Sequence, residues 1–132
     1  MGREYKGDID GKMWVTVQPS NDADNFGVIG EPFEPSGDLH YYFNKDNIRG
    51  INKELAKCRT LMEAIGTDSL EIMDRYFKKH RTESHQALDD LVIKIGETEY
   101  KKLKEYYARI ELGEKILACI RDNDECNFSV EC

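Results

Sequence analysis

The sequence predicts an α+β domain: a small antiparallel sheet packed with three to four helices. Three observations carry that expectation. Strand-like alternation is confined to the first 43 residues and the last seven. Between them, apolar residues recur at steps of three and four, the helical period. The 132 residues contain no internal repeat, low-complexity tract or linker, so a single domain spanning 1–132 is expected.

The sheet elements come first. "REYKGDI" and "KMWVTVQ" flank Asp10-Gly11, a dipeptide suited to a two-residue type I′ turn, which predicts an N-terminal hairpin. In its second arm Met13, Val15 and Val17 point one way, and Trp14, Thr16 and Gln18 the other. "DLHYYFN" sets Leu39, Tyr41 and Phe43 against His40 and Tyr42, predicting a strand near 39–43. "CNFSVEC" sets Cys126, Phe128, Val130 and Cys132 against Asn127, Ser129 and Glu131. A terminal strand so patterned should return to pair with the N-terminal strands.

The helices follow. From Asp46 to Ile65 the stripe is Ile48, Ile51, Leu55, Cys58, Leu61 or Met62, and Ile65. Gly66 suits its C-terminus, and Asp68 with Glu71 suits a capping box for the next helix. Leu70, Met73, Phe77, His80, Ser84, Ala87, Leu91 and Ile95 continue the rhythm, with no Gly or Pro between Asp68 and Ile95. That predicts one long or kinked helix. The alternative is two helices broken near "HRTESH", with Thr82 or Ser84 as the second cap. Gly96 stops this stretch. The last helix is expected from about Thr98 to Arg121, with Tyr100, Leu103, Tyr107, Ile110, Leu117 and Ile120 inward.

Charge and composition exclude some functions. A formal net charge of -7 argues against direct nucleic-acid binding, which needs a positive face. It suits solubility, a basic partner, or mimicry of nucleic acid. No apolar run approaches the roughly 18 residues that cross a membrane. "MGREYKGDIDGK" lacks the apolar core of a secretory signal, and Lys6 stands where a myristoylation signal wants Ser or Thr. A soluble, cytoplasmic protein is expected. Cys58, Cys119, Cys126 and Cys132 form no C-x-x-C pair, so reduced thiols without an intrachain disulfide are expected.

No chemical motif stands out. In "DADNFG", Asp22, Asp24 and Gly27 fit a calcium loop, but Phe26 and Phe33 occupy ligand positions. His80 and His85 are five apart and do not share a helix face; His85 and Asp89 make half a site. No G-x-S-x-G, P-loop or dinucleotide fingerprint is present. The expectation is therefore no catalytic residues, no metal and no cofactor. "RYFKKHR" is the one basic concentration. It reads as a solvated face paired with Glu71 and Asp74, or as a recess for an anionic ligand using Arg75 and Lys79. "HYYFN" and "EYYAR" each carry one aromatic that cannot point inward, Tyr42 or Tyr106, a mark of an interface. A helix of 28 residues would span about 40 Å, more than one small domain needs, so a homo-oligomer is expected.

"QPSNDADNFGVIGEPFEPSGD" is a long segment without periodicity, and such loops are usually functional or disordered. Phe26, Val28, Ile29 and Phe33 favour folding back over solvation. Asn21 and Asn25 offer neutral hydrogen bonds to a ligand, and Arg49, in the first turn of the next helix, offers a cation. The opening "REYKGDIDGKMWVTVQPSNDADNFG" resembles the start of short proteins encoded by phages and prophages. That resemblance implies an accessory protein that acts by binding in the host cytoplasm. The expected function is a non-catalytic binder that sequesters a small anionic, nucleotide-like ligand or blocks a host protein. The expected ligand residues are Asn21, Asn25, Phe26, Tyr42, Arg49, Arg75 and Lys79. The alternatives are an acidic protein-interaction inhibitor or nucleic-acid mimic, and a small enzyme with an unrecognised site.

Overall fold

The computed structural model describes residues 4–12, 18–33, 37–79 and 82–131. Strands β1 (Glu4–Gly7), β2 (Gly11–Lys12), β3 (Glu31–Phe33), β4 (Asp38–Asn44) and β5 (Glu125–Val130) form one antiparallel sheet, ordered β2-β1-β5-β4-β3. Helices α1 (Ile48–Ile65), α2 (Ser69–Asp74), α3 (Thr82–Ile95) and α4 (Glu97–Asn123) complete the chain. The predicted α+β architecture is present, and the C-terminal strand lies at the centre of the sheet. Tyr5 pairs with Val130, and Tyr41 with Phe128.

Alternation along the strands decides which face meets the helices. Tyr5, Tyr41, Phe43, Cys126, Phe128 and Val130 point inward and are buried. Phe128 packs beside Tyr41 and Phe43, at 5.4 and 6.0 Å between ring centres. From the helices, the predicted stripes supply Ile51, Leu55, Cys58 and Met62 on α1, and Leu103, Tyr107, Ile110 and Ile120 on α4. Cys58, Cys119 and Cys126 are free and buried.

Three local expectations are corrected. Asp10-Gly11 is not a two-residue turn: Tyr5 pairs with Gly11, and the wider connection lets Ile9 turn into the core. Gly7 is needed there because a Cβ would lie 2.8 Å from the Asn127 carbonyl oxygen, and its φ is +115°. The arm 13–17 lies outside the described residues, as does Cys132. The Asp68–Glu71 capping box does not form. Asp68 takes a left-handed conformation, and its backbone N–H donates to Glu63 Oε2 at 3.1 Å.

The third correction concerns 68–95. Instead of one long helix, α2 passes into a π turn at Arg75–Lys79, and α3 comes back along it. Leu91 reaches Gly66, where a Cβ would lie 3.0 Å from Leu91 Cδ1, and the His85 ring meets Tyr76 edge-on at 5.0 Å. The apolar rhythm persists because both arms of this hairpin bury the same stripe. The 28-residue helix expected over 68–95, whose length suggested a second copy, does not form; the long helix among the described residues is α4, with 27 residues. Among the described residues, no helix is long and apolar enough to cross a membrane.

Candidate functional site

Residues 18–30, ahead of β3, are arranged around a 3₁₀ turn, Asp22–Phe26, inserted between α1 and α4. Ala23 and Phe26 are its apolar anchors, with Phe26 1% exposed. Two helical glycines make room for it. A Cβ on Gly113 of α4 would lie 2.9 Å from the Phe26 ring and 2.6 Å from Leu55. On α1, a Cβ at Gly50 would lie 3.4 Å from the Phe26 carbonyl oxygen. Gly27, at φ +98°, then reverses the chain, and its N–H donates to the Asp24 carbonyl.

Polar contacts fix the turn from both sides. The Tyr5 hydroxyl donates to Gln18 Oε1 at 3.0 Å, and Gln18 Nε2 donates to Asp22 Oδ2 at 3.0 Å. Arg109 donates to Asp22 Oδ1 at 3.1 Å from Nε and to Glu54 Oε2 at 3.1 Å from a terminal nitrogen. The path runs from β1 through the turn to α4 and α1. A second attachment uses Asp24, whose Oδ1 accepts from the Tyr41 hydroxyl and from the Gly30 backbone N–H. Both acidic side chains of "DADNFG" are thus engaged by the protein itself.

Burial and the neighbouring Arg109 charge act in opposite directions on the acidity of these groups. Burial pushes the Asp22 carboxyl above its ordinary value, outweighing the downward pull of the Arg109 guanidinium. Burial also raises the Cys58 thiol to about 11, against the pull of Arg109. Cys58 is 0% exposed and packs as a core residue of α1.

Beside this turn lies a groove of about 530 Å³, lined by Asn25, Phe26, Gly27, Gly50, Lys53, Glu54 and Lys57. It is the candidate site. Helical geometry puts Gly50, Lys53, Glu54 and Lys57 on one face of α1, with Arg49 about 90° round at its rim. Lys53 and Lys57 are exposed, and so is Arg49. Glu54 is held by Arg109 and accepts from the Cys58 thiol at 3.7 Å. The groove thus offers two ammonium groups, one amide, the Arg109-paired carboxylate of Glu54 and two glycines in its lining. Such a set can bind an anion.

The structure gathers some of the expected ligand residues and scatters the others. Asn25 and Phe26 line the groove. The Asn25 amide also donates to the Asp22 carbonyl at 2.8 Å, and the Phe26 ring is buried towards Gly113 of α4. Asn21 is exposed at the N-terminal end of the turn. Tyr42 belongs to another surface, the outer face of β4, where its hydroxyl donates to Glu125 Oε2 at 3.1 Å. Arg75 bridges Glu71 at 2.7 Å and Lys78 lies 3.6 Å from Asp74, the solvated, paired face that "RYFKKHR" suggested. Lys79 closes the π turn, and its side chain lies outside the described residues. Sequence reasoning missed Lys53 and Lys57. Their signal was the four-residue spacing of Arg49, Lys53 and Lys57. It also missed Arg109, for which no local signal exists. Comparison of the chain with family models, with curated proteins and with solved structures finds no match.

Proposed function

We propose that this protein is a non-catalytic binding protein, acting in the cytoplasm, that holds a small anionic, nucleotide-like ligand in the α1 groove. One observation carries the reading. Lys53 and Lys57 line a groove of about 530 Å³ together with Gly27 and Gly50, in a chain of net charge -7. A local pair of cations on an acidic surface selects a compact anion while the overall field repels polyanions. Lys53 and Lys57 would neutralise the charge, and Asn25 would accept or donate to a neutral edge. The glycines would let a flat group approach the backbone.

The test is thermal unfolding with inorganic phosphate, pyrophosphate, nucleoside monophosphates and cyclic dinucleotides, for wild type and Lys53→Glu/Lys57→Glu. A ligand at about a hundred times its Kd stabilises by about 2.7 kcal/mol, a readily measured rise in Tm. The expected result is a rise with one class in wild type and none in the double variant, with the ligand recovered unchanged by mass spectrometry. Equal behaviour of the two proteins removes the groove from consideration, and an altered ligand identifies an enzyme.

A further inference from the structure

The side of the sheet facing away from the helices has a different character. Alternation and register place Glu31, Phe33, Asp38, His40 and Tyr42 on that side, with His40 opposite Ser129 and Phe33 opposite Asp38. Phe33 is 66% and Tyr42 43% exposed. A hollow of about 370 Å³ lies between Phe33, Asp38, His40 and Ser129. Aromatic rings displayed on a sheet face at this level of exposure mark a contact surface more than a solvated one. The chemistry around them is acidic: Glu31, Asp38 and Glu125 border the rings, whereas the Lys6 ammonium lies beside Glu4 at 3.7 Å. Glu125 faces Tyr42 through the hydroxyl contact at 3.1 Å. The sheet edge itself is poorly suited to adding a strand, since β3 is three residues long and its centre is Pro32, which lacks an N–H.

We infer that the outer face of β3, β4 and β5 docks a basic, extended segment of a partner protein, lying across the face and not along the edge. Charge complementarity selects the occupant. Guanidinium groups would stack on Phe33 and Tyr42 and reach the flanking carboxylates, while an apolar side chain between them fills the hollow. This surface is separate from the α1 groove and stands or falls independently of it.

A fluorescein-labelled peptide alternating arginine and leucine tests the inference by anisotropy. Glu31→Lys/Glu125→Lys and Phe33→Ser/Tyr42→Ser should each bind it about tenfold more weakly than wild type. Asp89→Lys/Asp90→Lys changes net charge by the same amount on exposed positions of α3 and should bind like wild type. All of these positions are exposed, so folding is checked by urea midpoint and the two site variants support one another. Equal loss in all three variants would show bulk charge attraction and overturn the proposal; so would no loss in either site variant. A wild-type dimer by light scattering that Phe33→Ser/Tyr42→Ser converts to monomer would make the face a contact between copies, which also overturns it.

Discussion

Helix α4 carries two ion-pair clusters that look alike on paper and differ in setting. Near its middle, Arg109 joins Asp22 of the 3₁₀ turn and Glu54 of α1 at 3.0 and 3.1 Å. One turn further on, Glu114 joins Lys78 of the π turn at 3.4 Å and Arg59 of α1 at 3.7 Å. Each cluster ties α4 to two other segments. The side chains of the first are 20%, 4% and 12% exposed, those of the second 46%, 43% and 44%. In water-rich surroundings an ion pair is worth little, because solvent screens it and the side chains lose freedom to make it. In the interior, the charges are costly to bury and costly to separate. The same residue types thus act as a lock in one place and as a solvated fringe in the other.

The largest effect should come from Arg109→Ala. It leaves Asp22 and Glu54 as buried carboxylates without their cation, a loss of about 3–5 kcal/mol. Urea unfolding should show a strongly lowered midpoint, and limited proteolysis should open the chain first between residues 18 and 30. A loss below about 1 kcal/mol would mean that Phe26 and Ala23 alone hold the turn.

This lock also marks the limit of what the sequence revealed. The strands were legible because each buries one face, and alternation at 39–43 and 126–131 records that directly. The α1 and α4 stripes were legible for the same reason at the helical period. The reversal between α2 and α3 was not, because an apolar stripe tells which face is buried but not whether the axis turns back. The 18–30 segment gave half of its story. Phe26, Val28, Ile29 and Phe33 announced a fold-back, which Phe26 makes and which Ile29 and Phe33, 72% and 66% exposed, do not; the partners that receive the turn, Arg109 and Gly113, lie more than 80 positions away in sequence. Side chains read locally as ligands, Asn25 and Phe26 among them, are partly spent on holding the turn. The cations of the groove were visible as a period of four on α1, but only the turn beside them makes a groove.

Neutralising one anion of the lock should cost less than removing its cation. Asp22→Asn keeps a polar group near Gln18 and Arg109 and leaves Arg109 paired with Glu54, so a loss of about 1–2 kcal/mol is expected. The pH dependence sharpens the comparison. Burial holds the folded-state Asp22 pKa above its ordinary value of 3.8. The folded protein therefore binds more protons than the unfolded chain between those two values. The stability linked to this carboxyl is fully present below 3.8 and is lost as pH rises through the raised value. Asp22→Asn should remove that acid-side slope from a plot of unfolding free energy against pH. An unchanged slope would assign it to other carboxylates.

The smallest effect should come from the exposed cluster. Lys78→Ala removes a cation that lies 3.6 Å from Asp74 and 3.4 Å from Glu114, yet nearly half of its side chain is in solvent. Burial lowers the Lys78 pKa, but Glu114 and Asp74 together raise it above its ordinary value, so attraction exists. Its free-energy value is nonetheless limited by screening, and the expected loss is about 0.5 kcal/mol. The charge-dependent part includes the ammonium's approach to the Tyr107 ring, 5.9 Å from its centre, and the rest belongs to the aliphatic stem. Lys78→Met keeps the stem and removes the charge, separating the two contributions. If screening is what distinguishes the clusters, the wild-type advantage over Lys78→Met should vanish in molar sodium chloride, where the Debye length falls to about 3 Å. The Arg109→Ala deficit should persist under the same conditions, since little solvent reaches Asp22. Salt dependence of the same size at both clusters would mean that exposure does not separate them.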